Sequence, residues 1–119
     1  MLVRSLHSSV LKWPHKEAVI SSLLLWVEKI VKENKNIVKI GYFGSYARGD
    51  WGVGSDLDVI IILKKSATPW SKRSAAWNTN HIPVPVDLLI YTEEEYEKMK
   101  NFSPRFYKIM AKEVIWIYP

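Results

Sequence analysis

Eight residues, Asp56 to Leu63 (DLDVIIIL), set the tightest limit on what this chain can fold into. Beyond Asp58 the run is apolar on both faces. It therefore reads as a central strand covered on both sides of a sheet, because a strand with one wet face would alternate. Successive strand side chains point to opposite faces, so residues i and i+2 point the same way. Asp56 and Asp58 accordingly project together from the start of the strand. Two like charges held that close repel each other unless a cation lies between them. The economical reading is a divalent-metal site.

A second strand, Asn36 to Phe43, precedes this one and ends at Gly44-Ser45. Ser45-Tyr46-Ala47-Arg48 can form a short helical turn. Backbone N–H groups at such a strand-to-helix step bind phosphate, and glycine permits close approach. Residues 49–55 (GDWGVGS) carry three glycines and read as a loop. A Gly-Ser pair alone is a weak signal whose bland reading is a turn. Its weight comes from position, since ten residues separate Ser45 from Asp56.

A third carboxylate would complete a site for two metals. Asp87 is the candidate, as the only other acid inside a predicted strand, Val84 to Tyr91 (VPVDLLIY). An ionised carboxylate in such a strand is costly unless a metal or a cation repays it. Magnesium suits the set, because it takes oxygen ligands and is commonly held by one or two carboxylates together with substrate phosphates. Arg48, one turn past Ser45, can reach a phosphate or form an exposed ion pair. His7, His15 and His81 share no ligand spacing, and the absence of cysteine removes thiolate sites and disulfides. Trp51 in the glycine loop reads as a lid packed on its own domain.

The rest of the chain reads as scaffold. Val19, Ile20, Leu23, Leu24, Val27, Ile30 and Val31 form an apolar stripe at helical spacing over residues 15–34, with Pro14 suited to a first helical position. Thr68-Pro69 reads as a cap and start for a helix reaching Trp77 or Asn78. Thr92 and Glu95 form a capping box for a helix of about ten residues. Ser103-Pro104 opens another helix, and Val114 to Tyr118 is a final strand. Residues 1–13 read as an irregular or short β arm. All eight Glu lie outside residues 34–92, as solvated helix surface, while all four Asp lie in the middle. The expected fold is α+β, with α and β alternating around a small mixed sheet flanked by helices. At 119 residues the expectation is a single domain over residues 1–119. The net charge of +5 is spread along the chain rather than clustered, so nucleic acid is not the expected partner. No apolar run reaches the roughly 20 residues of a membrane span. A cytoplasmic location is the expectation.

The Gly-Ser pair, ten residues and then Asp-x-Asp, with a later strand Asp, resembles the nucleotidyltransferase superfamily typified by DNA polymerase β. The fuller stretch GSYARGDWGVGSDLDVIII resembles its smallest branch, the minimal nucleotidyltransferases, which are often paired with HEPN-domain proteins in toxin–antitoxin modules. The resemblance implies ATP as donor and Mg²⁺, in two copies, as cofactor. It implies Gly44 and Ser45 at the phosphates, where Arg48 joins them by its position one turn on, and Asp56, Asp58 and Asp87 as metal ligands and catalytic carboxylates. The implied reaction moves AMP from ATP to a hydroxyl, with Asp87 as general base or acceptor-orienting group. A HEPN toxin is the implied acceptor, which makes the chain an antitoxin. The competing reading is a non-catalytic nucleotide-binding module that neutralises its partner by contact. Transfer to nucleic acid or a small molecule has no acceptor domain to support it, and a homo-oligomer is possible.

Overall fold

The structure is a computed structural model and describes residues 13–119. The proposed arm over residues 1–13 falls almost wholly outside the described residues. Four strands form one sheet: β1 (Ile37–Phe43), β2 (Leu57–Leu63), β3 (Val86–Thr92) and β4 (Ile115–Tyr118), in spatial order β3-β2-β1-β4. β2 runs parallel to β3, while β1 is antiparallel to both β2 and β4. The helices are α1 (Lys16–Glu33), the single turn α2 (Ser45–Arg48), α3 (Trp70–Arg73), α4 (Glu93–Phe102) and α5 (Pro104–Glu113). This is the mixed α+β architecture the sequence predicts. Among the described residues no helix is long and apolar enough to cross a membrane.

The alternation along β2 divides the core. Leu57, Val59, Ile61 and Leu63 join a cluster with Val19, Leu23, Trp26, Val27 and Ile30 of α1. Ile60 and Ile62 face the other way, with Met110 of α5, Phe43, Phe106 and Trp116. Val59, Ile60 and Ile61 are wholly inaccessible, so β2 is the covered central strand expected of its run. Each such side chain contributes roughly 1.5–3 kcal/mol of transfer free energy. Period-two alternation therefore assigns Asp58 to the face of Ile60 and Ile62, beneath α4 and α5.

Two helix starts differ from expectation. α1 begins at Lys16 with His15 as its cap, so Pro14 lies before the cap rather than at the first helical position. At α3 the cap is Pro69, not Thr68, and the α-helix ends at Arg73, passing into a 3₁₀ turn over Ser74–Ala76. The reason lies in Arg73. Its side chain is only 6% exposed, and its Nε donates to the Thr68 carbonyl at 2.8 Å. Its guanidinium also donates to the Ile90 carbonyl at 3.1 Å and, through both terminal nitrogens, to the Glu95 carboxylate. Thr68 is thus held by its backbone oxygen.

Glu95 has a second task. Its Oε1 accepts from the Thr92 N–H at 2.8 Å while Thr92 Oγ1 accepts from the Glu95 N–H at 3.2 Å, completing the predicted capping box. Hydrogen bonding to Arg73, more than any other influence, holds its carboxyl below the usual glutamate range. Replacing Arg73 by Ala leaves the Ile90 and Thr68 carbonyls and part of the Glu95 charge without partners. We expect a loss of about 2–4 kcal/mol in urea unfolding. Arg73→Lys should recover little of it, because an ammonium cannot reproduce the two-pronged contact.

Candidate active site

The carboxylates converge where β1, β2 and β3 meet. In the parallel ladder Asp58 stands directly beside Asp87, and in the antiparallel one it stands beside Phe43. Asp56 lies two residues before Asp58 at the mouth of β2. Asp58 is half-buried, whereas Asp56 and Asp87 are exposed. Burial pushes the Asp58 carboxyl up to about 6, and the charges of Asp87, Asp56 and Glu113 add to the shift against the opposing pull of Arg48. An acid so perturbed marks a place where a carboxylate is drawn out of water into crowded negative charge that Arg48 offsets only in part.

The chain leaves β1 at Gly44 with φ +73° and ψ −154°, a conformation open essentially to glycine alone. Space requires glycine as well. A Cβ here would overlap Asp58 Oδ2 and lie 3.0 Å from its Cγ. The turn α2 follows directly, and the first N–H groups of such a turn have no partner within it. Tyr46, wholly buried, stacks on Trp51 with ring centroids 5.6 Å apart and planes within 7°. That stack pins the glycine loop onto the domain, the packing role expected of Trp51. Ser55 Oγ accepts from the Gly52 N–H at 2.8 Å and closes the loop.

A cleft of about 440 Å³ opens here, walled by Gly44, Ser45, Arg48, Asp56 and Asp58 on one side and by Phe106, Ile109, Met110 and Glu113 of α5 on the other, with Phe43 at its base. Asp87 is not in its wall and reaches Asp58 from the neighbouring edge strand. A larger hollow of about 630 Å³ lies near the far ends of α1 and β2, and contains none of the four Asp. Its Trp26 Nε1, Asn36 and Arg73 groups are already bonded within the protein. Asp56, Asp58 and the Gly44-Ser45 turn share the smaller cleft.

The description of the nucleotidyltransferase domain family fits residues 24–117 of the chain. The chain belongs to that family. A solved Sulfolobus solfataricus protein, itself described as a candidate nucleotidyltransferase, has 24% identity, with a TM-score of 0.55 over 73% of this chain and 83% of that one. At that identity the likeness shows the fold. No curated protein matches the chain. Membership brings nucleotidyl transfer from a nucleoside triphosphate, with a divalent metal, as the general chemistry.

The side chains of this nucleotidyltransferase domain fit a divalent ion, since Asp58 is half-buried and stands beside Asp87 in the ladder with Asp56 two residues back. Among the described residues, however, no ready-made cluster of three or more His, Asp or Glu ligands exists. Asp56 and Asp87 are near enough to act on Asp58 without closing a cage. Magnesium is commonly held in this incomplete way, with substrate phosphates supplying further oxygens.

One residue of the cleft escapes the sequence reading. Glu113 Oε1 accepts from the Gly44 N–H at 2.8 Å and from an Arg48 terminal nitrogen at 2.6 Å. Arg48 also donates from Nε to Asp50 at 3.1 Å, so the exposed ion pair foreseen for it is present in duplicate. Glu113 looks in the sequence like more helix surface. Its one signal is position: an acid in the last turn of a helix stands at the end where the dipole disfavours negative charge.

Proposed function

We propose that this domain transfers AMP from ATP to a hydroxyl on a partner protein, and that the partner is a HEPN-type toxin silenced by the modification. The observation that carries the catalytic half is the register of Asp58 against Asp87, with Asp56 two residues back and Gly44-Ser45 alongside. Gly44, Ser45 and Arg48 take the triphosphate. Asp56, Asp58 and Asp87 hold the metal, which when bound offsets the charge of the triphosphate and of the departing pyrophosphate. The acceptor oxygen attacks the α-phosphorus, the bond from that phosphorus to the bridging oxygen breaks, and the acceptor proton passes to a base. Asp87 is suited to that proton because it is exposed on an edge strand, where a bulky acceptor can approach. The apolar wall of Phe106, Ile109 and Met110 suits the ribose and base.

The acceptor is proposed as a protein on two grounds. The motif resembles that of the minimal nucleotidyltransferases, and exposed apolar side chains adjoin the cleft. Ile109 in the cleft wall is 49% exposed, and Phe102, four residues before Phe106 of that wall, is 81% exposed. A second reading, a nucleotide-binding module that neutralises its partner by contact, draws on the same exposed apolar side chains, which serve docking whether or not transfer follows.

Label position separates nucleotidyl from phosphoryl transfer. With Mg²⁺ and the partner, ATP labelled at the α-phosphorus should mark the partner, and ATP labelled at the γ-phosphorus should not. An Asp56→Asn, Asp58→Asn variant should leave the partner unmarked and active. Should that variant still silence the partner, the contact reading replaces the catalytic one.

A further inference from the structure

We propose that Glu113 is an internal stand-in for phosphate: its carboxylate fills the donors of Gly44 and Arg48 in the nucleotide-free protein, and nucleotide binding requires its displacement. This rests on the reading of Gly44, Ser45 and Arg48 as the phosphate cradle.

One oxygen, Glu113 Oε1, accepts both hydrogen bonds, at 2.8 Å from the Gly44 N–H and 2.6 Å from Arg48. A non-bridging phosphate oxygen would make the same pair of contacts, with a backbone N–H and a guanidinium converging on one anionic atom. Among the described residues, Arg48 is the cation that pairs with Glu113. Asp50 competes with it for Arg48, pairing with the same guanidinium at 3.1 Å. Glu113 also closes α5, where the helix dipole is unfavourable to an acid. Those two features oppose an anion at this point, and among the described residues the hydrogen bonds that hold it come from Gly44 and Arg48. The carboxylate is thus held by the very donors a triphosphate needs.

The contact spans 69 residues of sequence to Gly44 and 65 to Arg48, so it ties the last turn of α5 to the cradle. Displacement would free that turn at the cleft's rim. A nucleotide arriving without a cation meets Glu113 together with Asp56 and Asp58. A nucleotide carrying Mg²⁺ offers the carboxylates a partner while its phosphate takes Arg48. The site is thereby biased toward the metal-bound form of its substrate.

Titration calorimetry with two probes tests this: Mg·ATP, and magnesium tripolyphosphate, which has no base or sugar. Glu113→Ala should bind both about ten-fold tighter than wild type, the scale set by removing one charged competitor. Glu113→Gln, close in shape, keeps an acceptor and loses the charge, and should show a smaller gain in the same direction. It carries the test alone if the Ala variant does not fold. Equal or weaker binding by a folded variant overturns the proposal, since a strut that merely positions Arg48 would weaken binding when removed. If neither probe binds wild type or variants, the phosphate cradle itself is refuted along with it.

Discussion

Asp58→Asn is expected to cut nucleotidyl transfer by about three orders of magnitude or more, and at the same time to stabilise the metal-free protein at neutral pH. The first effect follows from charge. The amide keeps the shape of the carboxylate but not the anion proposed to hold the metal, and each factor of ten in rate is about 1.4 kcal/mol of transition-state stabilisation. The second follows from the raised Asp58 carboxyl, at about 6 in the fold against 3.8 ordinarily. Between those values the folded chain keeps a proton that the unfolded chain has released. The stabilising contribution is therefore complete below pH 3.8 and lost as pH rises through 6. With allowance for solvent screening at a half-buried group, the swing is roughly 1–2 kcal/mol. Urea unfolding in EDTA from pH 4 to 8 should show wild type losing stability across that window and Asp58→Asn losing less. A variant that is inactive and also less stable at every pH would mean that Asp58 serves the fold rather than the metal.

These opposed effects explain why the stretch around Asp58 was so legible. A strand covered on both faces has no structural use for an acid, so an acid at its mouth stands out against Val59–Leu63. Asp87 stood out likewise in β3, but its place directly beside Asp58 depends on strand order, and the pattern of apolar residues carries no strand order. The box of Thr92 and Glu95 was legible because both partners lie within one turn. What was hidden arises from contacts between distant segments. Arg73 took the Thr68 carbonyl and the Glu95 carboxylate, which moved the α3 cap and cut the helix short. Glu113 crosses more than sixty residues to reach the cradle. At the level of local propensity it is indistinguishable from the Glu residues that coat α4. Only its misfit with the helix dipole sets it apart.

The second large effect is expected at Gly44. In Gly44→Ala the added methyl meets the Asp58 carboxylate, and the backbone occupies a region that side chains essentially never adopt. Neither problem can be relieved alone. Rotating the backbone to a permitted conformation moves the Gly44 N–H and the start of α2, whereas moving Asp58 takes it from its place beside Asp87. We expect transfer to fall at least about a hundred-fold, as displacement by an ångström does in a positioned site, with stability lower by about 2–4 kcal/mol. Gly49→Ala is the control. Gly49 has φ +88° and ψ 8°, closes α2, and has no atom within 4 Å of a Cβ. That variant should lose about 1 kcal/mol to backbone strain and keep its rate at saturating ATP. The contrast separates a glycine needed for backbone freedom from one needed for a carboxylate. If Gly44→Ala and Gly49→Ala lose activity equally, the close approach of Gly44 to Asp58 is incidental to the chemistry. If only Gly44→Ala fails, the first strand's end and the second strand's beginning work as one catalytic unit.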